Sequence, residues 1–143
     1  MDIISRPITQ DEVIQALKRE LFSTLATCAG NRVTIRPMSH INDGLAIFFQ
    51  TDNDSLKMRQ IRINPNVAMC VGTYEIEGVA TELGHPLDDK NVFFAKAYKE
   101  KHPGSFAKYS SCGDEVVVMV KPKLVRQWRY ENDQPVMAEL TPE

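Results

Sequence analysis

The apolar positions of this chain begin at helical spacing and then shorten to the alternation of strands. Val13, Ile14, Leu17 and Leu21 recur three and four residues apart, which lines one face of a helix. Thr9 precedes them with Glu12 three residues on, the composition of a capping box, and Ile8 and Val13 are placed to staple the entry. This pattern predicts a helix over about residues 10–21.

Beyond it come short segments rich in β-branched and aromatic residues, divided by turn-forming ones. FSTLATC and RVTIRPM flank Ala29-Gly30-Asn31, a hairpin turn by composition. LAIFFQT follows Asn42-Asp43-Gly44, a second turn. A helix opens near Ser55 and is stopped by Asn64-Pro65-Asn66, after which VAMCVGTY and EIEGVATEL read as strands. Gly78, inside the latter, predicts a bulge or a close approach by another group.

Between His85-Pro86 and His102-Pro103-Gly104 the pattern is that of a third helix, and SFAKYSSCGDE after it reads as loop. VVVMV at 116–120 and KLVRQWRY at 123–130 read as two further strands, with Leu124, Arg126, Trp128 and Tyr130 sharing one face of the second. The tail ENDQPVMAELTPE reads as frayed or as lying against a partner. About seven strands with three helices inserted between them make an α+β antiparallel barrel, a single domain over residues 1–143.

Composition narrows the function. With 43% hydrophobic and 25% charged residues and a net charge of −2, nothing marks nucleic acid or an anionic membrane as a partner. Cys28, Cys70 and Cys112 lie far apart, with no C-x-x-C pair and no histidine at ligand spacing, so neither a metal site nor a disulfide framework is expected. They read as buried or semi-buried thiols. MDIISRPITQDEV is acidic and polar where a secretory leader is basic and then apolar, and no apolar run approaches the roughly 20 residues of a membrane span. The expectation is a cytoplasmic protein.

One stretch poses a chemical question. In TDNDSLKMRQ, Ser55 suits a helix N-cap, and Lys57 then sits in the first turn, where unpaired N–H groups already carry partial positive charge. A phosphate there would collect those N–H groups, the Ser55 hydroxyl and the Lys57 ammonium. Asp52 and Asp54 would repel it if they pointed inward. Arg36, midway along RVTIRPM, has the fork geometry for a phosphate if its strand neighbours LAIFFQT, whose end, Gln50-Thr51, can hydrogen-bond a planar polar ring edge. An outward-facing Arg36 and a solvated Lys57 remain the plainer alternative.

The order strand, R-P-M, strand ending F-x-T, S-x-K opening a helix, and N-P-N-V leading into a strand resembles the FMN-binding split-barrel family related to pyridoxamine 5'-phosphate oxidase, over about residues 9–130. The resemblance implies an antiparallel split β-barrel with about three peripheral helices, binding FMN. It implies Arg36, Ser55 and Lys57 as phosphate ligands. Pro37, Met38 and Ser39 would run along the isoalloxazine ring, and Gln50 and Thr51 would lie near its polar edge and ribityl chain. It further implies a homodimer whose cofactor sites are completed at the interface, with Trp128 the aromatic placed there.

Two departures matter. The family's true pyridoxamine phosphate oxidases carry an arginine in a C-terminal segment that grips the substrate phosphate, whereas no arginine follows Arg129 here, so that activity is not expected. Leu56 replaces an arginine that often precedes the phosphate-binding lysine. The leading expectation is an FMN-dependent oxidoreductase acting with a small-molecule substrate or electron donor. No residue is required as acid, base or nucleophile, because the flavin performs the electron chemistry. A non-catalytic flavin- or haem-binding stress or sensor module, with His85 as a haem ligand, and a deazaflavin-dependent reductase on the same fold stay open.

Overall fold

A computed structural model describes residues 3–143. Met1 and Asp2, where the segment read as lacking a leader begins, lie outside the described residues. The elements run β1 (Ile4–Pro7), α1 (Gln10–Arg19), β2 (Phe22–Ala29), β3 (Arg32–Ser39), β4 (Ile41–Asp43), β5 (Ala46–Asp52), α2 (Leu56–Ile63), β6 (Asn66–Val71), β7 (Tyr74–Glu82), a 3-10 turn, α3 (Val92–Lys101), α4 (Pro103–Tyr109), β8 (Glu115–Glu131) and β9 (Gln134–Leu140).

The strands form one mixed sheet ordered β1-β9-β8-β7-β6-β2-β3, with β5 joined to β8 and β4 to β5. All pairings are antiparallel except β1 with β9. The sheet curls without closing. β3 and β5 approach one another without hydrogen bonding, so the RVTIRPM and LAIFFQT strands are neighbours across the split of the barrel. An edge position suits Pro37, which has no N–H to donate to a further strand.

Local chemistry accounts for the elements. The capping box at Thr9 forms, with the Glu12 amide donating to Thr9 Oγ1 at 3.2 Å and the Thr9 amide to Glu12 Oε2 at 3.1 Å. Gly30 and Asn31 both take positive φ, as a two-residue hairpin between right-twisted strands requires. Val13, Leu17, Leu25, Ile47, Phe49, Met58, Val118 and Val125 are buried in the barrel interior, and Ile41, Phe94, Tyr98 and Val117 form a smaller cluster under α3.

Four expectations are corrected. VVVMV and KLVRQWRY belong to one 17-residue strand, β8, which pairs β5 through its first half and β9 through its second. The bend comes at Gly78, where the ladder with β8 shifts register opposite Pro122. A Cβ at Gly78 would stand 2.7 Å from Val120 Cγ1 and 2.8 Å from the Lys121 carbonyl oxygen, so bulge and close approach coincide there. The tail read as frayed forms β9, which β1 extends in parallel. SFAKY, read as part of a loop, lies in α4, started by Pro103 at its first turn. Cys70 and Cys112 are exposed rather than buried, and Cys28 is half-buried. No helix among the described residues is long and apolar enough to cross a membrane.

Candidate functional site

Where β5 ends and α2 begins, the chain turns through Asp52-Asn53-Asp54-Ser55. Ser55 caps α2, its Oγ accepting from the Met58 amide at 3.4 Å, while no acidic residue sits in the first helical turn. Asp54 points to solvent and pairs with Arg59 at 3.6 Å. Asp52 turns its Oδ1 to the Asp54 amide at 2.7 Å and lines the cleft beside Lys57, so one of the two acids does face the site.

Lys57 faces the site as well. It is half-buried and donates to Thr51 Oγ1 at 2.9 Å, and Thr51 in turn lies 3.4 Å from Ser55 Oγ. No carboxylate among the described residues pairs with Lys57 within the 4.0 Å of an ion pair. Burial and then the nearby Arg36 push its pKa below the ordinary lysine value, while Glu115 and Asp52 pull the other way. Arg36 lies on the covered face of β3 and also lacks a carboxylate partner among the described residues. Two threonine hydroxyls hold it instead: Nη1 donates to Thr27 Oγ1 at 2.8 Å, and Nη2 to Thr34 Oγ1. Lys57, in the first turn of α2, and Arg36, close enough to act on its charge, are thus half-buried with only neutral hydrogen-bond partners, an arrangement that costs free energy unless an anion joins them.

A cleft of about 360 Å³ opens beside them, lined by Pro37, Met38, Ser39, Gln50, Thr51 and Lys57 from the predicted set. Gln50 is 7% exposed, accepts from Ser110 Oγ at 2.8 Å through Oε1, and leaves its Nε2 amide without an internal partner. That buried donor is an orphan among the described residues, the kind of group a ligand acceptor or a water would satisfy. Ser55 and Arg36 do not line the cleft: Ser55 Oγ lies one hydrogen bond behind Thr51, and the Arg36 guanidinium is held at Thr27 and Thr34. Trp128 does not join them: it is 41% exposed far along β8, its ring edge-on to Tyr130 with centroids 6.0 Å apart.

The remaining wall escaped sequence reasoning. Tyr98, Ser105 and Tyr109 reach the cleft from α3 and α4, with Tyr98 Oη 2.9 Å from Ser105 Oγ. Glu115 faces it from the start of β8, directly opposite Asp52 across the ladder, and burial, then Asp52, raises its pKa. Only α4, hidden in a segment read as loop, could have flagged the first group. A larger depression of about 480 Å³ lies on the outer sheet face between Ile35, Ala26, Ala68 and Arg126, where Arg126 is already paired with Glu77 at 2.5 Å.

Two of the three histidines are buried. His40 is fully buried, its Nε2 donating to the Leu17 carbonyl at 2.9 Å, and His102 Nε2 donates to the His40 carbonyl at 2.8 Å. His85 has both ring nitrogens engaged, Nδ1 by the Leu87 amide at 3.1 Å and Nε2 by the Cys112 carbonyl at 2.7 Å, which leaves neither free for a haem iron. No group of three metal-ligating side chains occurs among the described residues.

A family model described as pyridoxamine 5'-phosphate oxidase matches residues 9–129. The chain belongs to this family. No curated protein matches it significantly. Among solved structures, an F420 reductase superimposes with TM-score 0.61 at 24% identity, covering 76% of this chain and 90% of its own. An FAD-binding protein from Mesorhizobium loti gives 0.66 at 14% identity, with 84% and 94% covered. The haem storage protein of Vibrio cholerae gives 0.66 at 13% identity, with 78% and 88% covered. These likenesses show the fold, the split barrel of the pyridoxamine 5'-phosphate oxidase family.

Proposed function

We propose that the chain binds FMN in the cleft between β3, β5 and α2 and serves as an FMN-dependent oxidoreductase. The observation that carries this reading is Lys57, half-buried in the first turn of α2 and lining the cleft, with Arg36 nearby and both cations hydrogen-bonded only to neutral groups. The donor set fits the group: two cations, the Ser55 hydroxyl and first-turn amides for a terminal phosphate, and the orphaned Gln50 amide with Thr51 for ring or ribityl oxygens. Pro37, Met38 and Ser39 offer a strip of edge-strand backbone along which a flat ring lies. When bound, FMN supplies the redox chemistry. The protein's own residues bind the phosphate, orient the ring and leave one side of the cleft open to a small-molecule substrate or electron donor.

The working unit in this proposal is a homodimer with its sites at the interface. The outer sheet face supports it: Ile35 is 68% exposed, Val33 67% and Tyr130 69%, with Trp128 beside Tyr130. Aromatic and aliphatic side chains concentrated on one face mark an association surface, and a two-fold contact is the commonest way to cover one. Exposed free thiols at Cys70 and Cys112 suit a reducing cytosol.

Mass analysis and absorbance of the cofactor carried by purified protein test the reading. Extracted FMN, with NAD(P)H oxidation in the presence of an acceptor, is the expected outcome. Bound haem would contradict the phosphate cradle, a deazaflavin would move the protein to another cofactor class, and FMN without turnover would make it a carrier.

A further inference from the structure

Gln60 belongs to none of the roles assigned above, yet it is 4% exposed on a surface helix. Its Nε2 donates to the Arg32 carbonyl at 3.1 Å, which fixes the amide orientation, since the reverse would set two acceptors against each other. Its Oε1 is therefore the atom that receives Thr27 Oγ1 at 2.5 Å and Thr34 Oγ1 at 2.6 Å. These are the two hydroxyls that hold the Arg36 guanidinium.

Proton accounting makes the arrangement one-directional. A guanidinium only donates, so each threonine oxygen accepts from Arg36 and must send its single proton elsewhere. Gln60 Oε1 has two lone pairs and takes both. The chain from the Arg32 carbonyl through Gln60 and the two threonines to Arg36 is thus satisfied with neutral groups throughout, and the guanidinium keeps its charge. A carboxylate at position 60 would satisfy the same hydroxyls but neutralise that charge.

We propose that Gln60 is a positioning residue for the anion cradle, orienting Arg36 through Thr27 and Thr34 while withholding a countercharge, so that the cradle selects a phosphate-bearing ligand. The inference rests on the FMN reading for its ligand and on the hydrogen-bond chain for its geometry.

Dissociation constants for FMN and riboflavin, measured by flavin fluorescence on the full chain, test it in Gln60→Met and Gln60→Glu. Both variants should weaken FMN, Gln60→Glu by about tenfold or more, the scale of one charge-assisted contact, while riboflavin changes less than about twofold. General damage would move both ligands together. A melting cycle without flavin, combining Gln60→Met with Arg36→Met, supplies a second readout: the double variant should lose less than the sum of the singles. An unchanged FMN-to-riboflavin ratio in a folded variant would overturn the role in selectivity, and additive melting shifts would overturn the coupling. A wild type that binds both flavins equally would instead defeat the FMN reading, and the melting cycle would then decide the positioning claim by itself.

Discussion

Replacing Lys57 by methionine isolates its charge, because the apolar stem is retained. In the ligand-free fold that charge is a burden. Burial and Arg36 hold the lysine pKa below its usual 10.5, so the unfolded chain binds the proton more readily. Stability from this group rises with pH only between the lowered folded value and the unfolded one, and at neutral pH the cost is fully present. Lys57→Met should therefore leave the melting temperature of the ligand-free protein unchanged or slightly raised. With FMN bound the sign reverses. A charge-assisted contact of about 1.5–3 kcal/mol disappears, which weakens FMN roughly ten- to hundredfold. Fluorescence titration reads the affinity, and thermal shift with and without FMN reads the stability. Unchanged FMN affinity together with a lower melting temperature would refute the reasoning and make Lys57 a structural residue.

His40, buried and held at a pKa of about 4 chiefly by burial, is neutral in the fold but protonated at 6.5 once unfolded. Stability should be complete above pH 6.5 and fall as the pH drops toward 4, by about 2 kcal/mol between pH 7.5 and 5. Denaturant midpoints at the two pH values read the loss, which His40→Gln should flatten. Gly78→Ala should cost about 1–3 kcal/mol, since its Cβ would press on Val120 and the Lys121 carbonyl, and unchanged thermal unfolding would show that β8 yields there. Tyr130→Asp should break the dimer, and dilution of the wild type should release flavin and subunit together in sedimentation read at flavin wavelengths; a monomer that retains FMN would overturn the shared-site dimer.

Much of the barrel was legible because its cues are local. Thr9 with Glu12, Gly30-Asn31 and Asn64-Pro65 punctuate the chain through side-chain chemistry that acts within a few residues. What escaped depends on distant partners. Pro122 looks like a strand break, yet β8 runs through it because the ladder shifts register there, leaving Lys123 as the extra residue opposite Glu77 and Gly78. The tail is polar enough to read as frayed, and it becomes β9 only because β8 and β1 flank it.

The site divided in the same way. Ser55 and Lys57 were visible as a cation at a capped helix start, and Gln50 and Thr51 as the polar end of an apolar strand. Thr27, Thr34 and Gln60 were not, since threonine in a strand and glutamine in a helix are unremarkable until the fold brings their side chains to Arg36. Tyr98 was seen only as a helix residue, because no periodicity reports which cleft a helix overlooks.

The central claim is that Arg36, Ser55 and Lys57 hold a terminal phosphate, and paired calorimetric titrations of the flavin-free protein with FMN and riboflavin test it most directly. The two ligands differ only in that phosphate. FMN should bind at least about a hundredfold more tightly, as two charge-assisted contacts require, and added salt should narrow the gap. Equal affinities at low salt would contradict the account.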